Sequence, residues 1–385
     1  MPAVRKPFTI FLKTLSSGEK IYFYQYRKKN GNRSTPVSTG KTSRSEAMEY
    51  VTNLFLSGLI TSGNGNFKKP SVSFKDFSKD FFEKDSEYMR WKNISGHPLA
   101  PETVMSYKKF LRNQLLPFWN EWAINDITPA DVKRWILWMM KKWSSKTSNN
   151  AQSVFNIIMK SAKENRLIDD IPSEGLTFRK CLRKNRVLLS VSELNAIYHS
   201  DKWVCESYRR FFLLAAVTGM RTGEIMGLLR SEVFDNYLNV IHSYSPHFGL
   251  GPTKTRVNRY VPIPPEMELK KHCGRKYAFE DKNHRVIKKG RVYENFCRIC
   301  DDLNIDRESR FITMHTLRNA FISFMRSSRY GAVIDLKIKA VVGHNDGSMT
   351  DWYTYWTPES MAEIYELQKE LYLKITEKEE VKIGT

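Results

Sequence analysis

The chain has 385 residues, room for two or three domains. Its 41% hydrophobic and 13% aromatic content excludes a wholly disordered polymer, and 62 Lys/Arg against 41 Asp/Glu leave +21, which favours a polyanionic partner, nucleic acid or an anionic membrane surface. No apolar run reaches the roughly 18 residues of a membrane span, the basic start MPAVRKPFTIFLKTLSSGEK lacks the h-region of a signal peptide, and five scattered cysteines fit a reducing cytoplasm rather than a disulfide scaffold.

The first 70 residues carry 12 Lys/Arg against 3 Glu. Within them Lys20–Lys28 alternates, with Tyr22, Tyr24 and Tyr26 on one face and Ile21, Phe23 and Gln25 on the other, so a strand is expected. Asn30-Gly31 marks a hairpin with a return strand over Arg33–Ser38. Ser43 and Glu46 form a capping-box pattern that opens a helix to about Leu56. A Gly/Asn/Ser-rich linker, Thr61–Ser71, follows.

From about Ser73 the pattern turns helical, with helices expected over Asp76–Arg90, Pro101–Leu115, Pro129 to about Trp143 (capped by Thr128) and Ser148–Asn165. Trp119, Trp122, Trp135, Trp138 and Trp143 crowd this stretch and read as core, with one or two against DNA sugars as the sharper alternative. A charged connector, Asp170–Asn185, leads into a third block. It opens with a helix capped by Ser190 or Ser192 ahead of Glu193, and contains strand-like stretches over Tyr237–His242 and Arg259–Ile263. The fold class expected is multidomain and mainly α: a small N-terminal β-sheet plus helix, a helical domain, and a mixed α+β, mostly α, C-terminal domain.

The third block holds an ordered series suited to phosphoryl transfer. In AVTGMRTGEI an apolar helix ends at Gly219 and another begins near Thr222, which puts Arg221 at the junction and Glu224 one turn on. Lys254 lies between the strand-like stretches, on a hairpin. His315 and Arg318 fall one turn apart on one helix face. Val342-Gly343-His344 follows, then Tyr353 nine residues later in DWYTYW. Two arginines can clamp the non-bridging oxygens of a phosphodiester by charge-assisted hydrogen bonds, so no divalent metal is required. A tyrosine suits as nucleophile because its aryloxide can leave again.

This order resembles the tyrosine recombinase (phage-type integrase) family. Arg221 matches its first arginine, Lys254 its hairpin lysine, His315 and Arg318 its histidine–arginine pair, His344 its second histidine and Tyr353 its nucleophile. The resemblance implies that Tyr353 attacks the scissile phosphate to leave a 3′-phosphotyrosine and a free 5′-hydroxyl. It implies that Lys254 protonates the leaving oxygen, His315 handles the tyrosine proton and His344 hydrogen-bonds the phosphate, without metal, cofactor or ATP. Glu224 is expected to orient Arg221. Tyr355 points about 200° away from Tyr353 on a helix, and the spacing from His344 favours Tyr353.

The domains implied are 1–66, an arm-type DNA-binding module; 72–172, a helical core-binding (SAM-like) domain; and 183–385, the catalytic domain with a C-terminal tail helix. In the first, Arg27, Lys28, Lys29 and Arg33 are placed to reach phosphates. Partners implied are double-stranded DNA at core and arm sites, three further protomers in a tetramer on two duplexes, and accessory DNA-bending proteins, with a nucleoid-associated location and no membrane. The tail, Ser360–Ile375, carries Met361, Ile364, Leu367, Leu371 and Leu373 along one side and can pack on its own domain or on a neighbouring protomer, the neighbour being favoured and the sequence leaving the choice open. Alternatives are a Xer-like resolving recombinase, a type IB topoisomerase, or an inactive DNA-binding regulator on the same scaffold. Cys297-Arg-Ile-Cys300 is a lone CxxC pattern, too little for a zinc site.

Overall fold

The computed structural model describes residues 8–27, 32–56, 72–181, 187–344, 357 and 359–378. The chain is mainly helical, with a small antiparallel sheet near the N-terminus. It divides into two compact units, Met1–Cys181 and Leu182–Thr385.

In the first unit β1 (Phe8–Thr14), β2 (Lys20–Tyr26) and β3 (Val37–Ser38) form the sheet in that order. β1 was not expected, because FTIFLKT does not alternate strictly between apolar and polar residues. β1 and β2 pair from Phe8↔Tyr26 to Thr14↔Lys20. The return strand is shorter than expected: a bridge between Arg27 and Arg33, then Val37–Ser38. Lys28, Lys29 and the Asn30-Gly31 turn lie outside the described residues. Helix α1 (Arg44–Leu56) covers the face that carries Tyr24, and Phe8, Tyr24 and Val51 are buried between them. The Ser43 hydroxyl, just ahead of α1, faces that of Ser45 at 2.8 Å. On the opposite face Phe11 and Phe23 stack at 6.5 Å, and the Lys13 ammonium lies 5.3 Å from the Phe23 ring centre.

Where Asp76–Arg90 was expected as one helix there are two, α2 (Phe74–Ser78) and α3 (Glu87–Ile94). Ser73 and Ser86 each accept a backbone N–H, from Asp76 at 3.0 Å and Met89 at 3.2 Å, and each starts its own helix. The expected Pro101–Leu115 helix is α-helical only over α4 (Pro101–Phe110). A single π turn, Leu111–Leu115, and then α5 (Leu116–Trp119) continue it. Pro117 has no N–H, and its ring collides with the carbonyl four residues back, so the turn widens. α6 (Pro129–Met140) opens with the Thr128–Asp131 capping box and stops three residues short of Trp143. α7 (Ser145–Glu164) begins ahead of Ser148, capped by Ser144. Trp119 and Trp135 are fully buried with Phe74 and Phe155; Trp122, Trp138 and Trp143 are half-buried around them.

In the second unit α8 (Val191–His199), α9 (Glu206–Thr218), α10 (Thr222–Gly227), α11 (Lys289–Asp302), α12 (Met314–Arg326), α13 (Asp335–Val342) and the tail helix Ala362–Thr376 enclose one core. Ser190, with Glu193, caps α8. The expected strand Tyr237–His242 breaks at Ile241: β4 (Tyr237–Val240) pairs with β7 (Arg259–Pro262), while β5 (His242–Ser245) pairs with β6 (Gly249–Pro252). Among the described residues no helix is long and apolar enough to cross a membrane.

The tail helix packs on α8 and α9 of its own unit, the docking that the sequence left open and did not favour. Ile364, Leu367, Leu371 and Ile375 are buried in the unit's core, whereas Leu373, expected on the apolar side, is half-exposed. Asn195 on α8 donates to the carbonyls of Lys374, Ile375 and Glu377 at 3.1, 3.2 and 2.7 Å and closes the helix end. Burying four aliphatic side chains stabilises by roughly 6–12 kcal/mol, comparable with the roughly 5–15 kcal/mol that holds a whole domain. Truncation after Thr357 is therefore expected to unfold the second unit, not to release a folded monomer. Circular dichroism melting of the truncated chain checks this, and a truncated chain with an undiminished transition would return the tail to a neighbour.

Candidate active site

The site is built where three helix ends meet. α9 ends at Gly219, which adopts φ +62°; a Cβ there would stand 2.5 Å from Cδ1 of Phe321 on α12. Both the left-handed backbone and the close approach demand glycine. The turn frees the Gly219 carbonyl, which accepts from Arg318 Nη1 at 2.9 Å.

Arg221 is the N-cap residue of α10. Glu224, three residues on and 1% exposed, accepts the Arg221 backbone N–H on Oε2 at 3.0 Å and Arg221 Nη1 on Oε1 at 2.8 Å. The Arg221 guanidinium also reaches the C-terminus of α13, where Nη2 donates to Gly343 O at 2.8 Å and Nη1 to Val342 O at 3.4 Å. A cation is favoured there by the unpaired carbonyls and the negative end of the helix dipole. His344 follows at once, its N–H donating to Lys339 O at 2.9 Å and its side chain exposed.

Arg318, on the second turn of α12, is 2% exposed. Burial and then the neighbouring Arg221 push its pKa down to about 10. Its Nη2 is buried without a hydrogen-bond partner among the described residues. Glu224 moves the other way: burial alone would raise its carboxyl, but Arg259 and then Arg221 hold it below the usual carboxylate range. Arg259 was not among the residues singled out in the sequence. It opens β7 and donates through Nη2 to Glu224 Oε2 at 2.6 Å. No local signal could have found it, since its partners lie 35 and 82 residues away.

The structure thus joins Arg221, Glu224, Arg318 and the backbone leading into His344 in one cluster. His315 is exposed on the first turn of α12, one turn before Arg318, and Lys254 is exposed on the turn between β6 and β7. Tyr353 lies outside the described residues. Among the described residues no group of three His, Cys, Asp or Glu is placed to hold a metal ion. What the cluster offers chemically is a partly buried excess of guanidinium groups over carboxylate, suited to an anion with several oxygens.

Residues 188–359 match the model of the phage integrase family. A prophage phiRv2 integrase of Mycobacterium tuberculosis is 30% identical over 177 residues, 46% of this chain and 43% of the relative. The chain thus spans under half the length of that relative. Tyrosine recombinase XerD of Halalkalibacterium halodurans is 22% identical over 286 residues, 69% of this chain and 91% of the relative. Among solved structures, a lambda integrase tetramer bound to a Holliday junction aligns with a TM-score of 0.57 at 17% identity, covering 90% of this chain and 98% of that one, a likeness of fold.

Proposed function

We propose that the chain, whose residues 188–359 match the phage integrase family, is a site-specific DNA recombinase that integrates or excises a phage or mobile element. The observation that carries the reading is Arg318 Nη2, buried and unpartnered among the described residues beside a second guanidinium. An anionic acceptor would satisfy that donor and offset the two neighbouring positive charges together, and a phosphodiester fits both requirements.

In the reaction the Tyr353 hydroxyl oxygen attacks the phosphorus while Arg221 and Arg318 hold the non-bridging oxygens. His315 takes the tyrosine proton, and His344 hydrogen-bonds the phosphate. The P–O5′ bond breaks as Lys254 delivers a proton to the 5′-oxygen, leaving the 3′-phosphotyrosine. A 5′-hydroxyl of the partner duplex then attacks in reverse. One phosphodiester is exchanged for another, so no ATP is consumed. Glu224 orients Arg221 from behind.

Residues 1–66 serve as a second DNA contact. The open sheet face with Phe11, Phe23 and Lys13, and the edge with Arg27 and Arg33, supports this, and Lys28 and Lys29 extend the basic run. Residues 72–172 grip the core site and 183–385 cut it. Four protomers on two duplexes, helped by accessory DNA-bending proteins, form the active assembly at the nucleoid. The match to XerD favours a second reading, a resolving recombinase; the N-terminal sheet module argues for the integrase.

A radiolabelled duplex nicked just 3′ of the cleavage point, so that the short fragment bearing the free 5′-hydroxyl diffuses away, traps the intermediate. The expected result is a covalent protein–DNA adduct at attachment-site DNA that persists in EDTA, because guanidinium groups supply the charge. No adduct would leave the inactive regulator. An adduct that relaxes supercoils but never joins two duplexes would point to a topoisomerase.

A further inference from the structure

We propose that Arg259 is a positioning residue for strand cleavage: it holds Glu224 and the end of α13 so that Arg221 keeps its charge and direction for the phosphate. The inference rests on the recombinase reading above.

The geometry is that of a clamp. Arg259 faces Glu224 with both terminal nitrogens, Nη1 to Oε1 at 3.3 Å and Nη2 to Oε2 at 2.6 Å, while Nε donates to Val341 O at 2.7 Å. One planar group therefore joins α10 to the C-terminus of α13, and only a guanidinium has the fork to do both. Its side chain is 8% exposed against 24% for Arg221. Arg259 thus sits behind, and Arg221 in front. Gly343 seals the arrangement: at φ +67°, a Cβ there would stand 3.1 Å from the Cζ and Nη1 of Arg259. The position that presents Gly343 O to Arg221 is therefore the one Arg259 needs free of a side chain.

Charge supplies the second half of the argument. Glu224 alone with Arg221 would be a neutral pair, and a buried carboxylate with one partner draws that partner fully onto itself. With Arg259 sharing the carboxylate, the three groups keep one net positive charge. Arg318 adds another. Two charges are then available to a phosphodiester whose transition state gathers negative charge on its oxygens.

The test compares single-turnover cleavage of the nicked duplex by the full-length wild type, R259M, R259K and the double variant R259M/E224Q, with affinity for the same DNA measured in parallel. Misplacement of a catalytic group by about 1 Å costs on the order of 10²-fold in rate, and that loss is expected for R259M with DNA affinity unchanged. R259K, which keeps the charge without the fork, is expected to lose about tenfold, between wild type and R259M. R259M/E224Q is expected to cleave faster than R259M, because the neutral amide no longer captures Arg221; a merely structural role gives additive losses instead. The second readout needs no cleavage. The side-chain Nε–H signal of Arg221, identified by its absence in R221K, is expected to be distinct in wild type and merged with the mobile arginines in R259M and in R259K. Cleavage by R259M at the wild-type rate, a double variant slower than R259M, or an unmoved Arg221 signal would each overturn the proposal. A wild type that forms no adduct would count against the recombinase reading, and the Arg221 signal would still decide for Arg259. Should R259M not fold, R259K carries both readouts, and its wild-type behaviour in them would be equally fatal.

Discussion

Tyr353→Phe is expected to abolish strand cleavage and exchange while leaving DNA affinity unchanged. The substitution removes one oxygen, the atom that would carry the covalent bond to phosphorus. Loss of a covalent nucleophile has cost on the order of 10⁶ in rate where it has been measured, which here means no detectable adduct. That oxygen contributes little to ground-state binding, because charge neutralisation by Lys and Arg dominates affinity for DNA. Tyr355→Phe is the matched control and is expected to cleave normally. Adduct formation on the nicked duplex, with a mobility-shift titration beside it, reads both quantities. Recombination by Tyr353→Phe at the wild-type level would remove Tyr353 from the mechanism and turn attention to Tyr355.

The second large effect concerns Arg318. Its replacement by Ala is expected to lower cleavage by at least the 10²–10³-fold typical of losing one well-placed donor to a transition-state charge, and by more because a full charge goes with it. Stability is expected to follow a different course. The buried guanidinium is disfavoured first by desolvation and then by Arg221, so removing it relieves a repulsion at the cost of one hydrogen bond, to Gly219 O, and of the smaller attraction to Glu224. The melting temperature is expected to hold or rise. An Arg318→Ala protein that melts well below wild type and loses activity only in proportion to its unfolded fraction would make Arg318 a structural residue.

The signals that could be read from the sequence are those in which local chemistry sets the structure. Thr128 with Asp131 and Ser190 with Glu193 reach across one helical turn, so the helix starts they mark are found where expected. Gly219 ends α9 and Arg221 starts α10 for equally local reasons, which places Arg221 and Glu224 correctly before any tertiary contact is considered. The features that were not legible depend on distant partners. The side of the tail helix that is buried is decided by α8 and α9, more than 140 residues earlier in the chain, and the apolar stripe alone cannot say whether it meets its own unit or another. Arg259 begins a strand in a chain with 62 basic residues, and nothing in TKTRVNRYVP distinguishes it from Arg256. Its meaning lies in Glu224 and Val341. β5 and β6 are four residues each, too short for alternation to show.

The π turn at Leu111–Leu115 acts as a phase corrector. Tyr107, Leu111, Leu115 and Trp119 all pack on the same helical core and recur every four residues. A regular α-helix advances about 100° per residue, so across those twelve residues the stripe would drift by about 120°, and Trp119 would leave the face that Tyr107 occupies. The widened turn accommodates roughly one additional residue per turn and takes back most of that drift. Pro117, which forces the widening, therefore sets the azimuth at which Trp119 meets Trp135 and Phe155, 5.8 and 5.4 Å away between ring centres. A residue that would ordinarily be counted against a helix here brings two helical segments of different phase into a single line of contact.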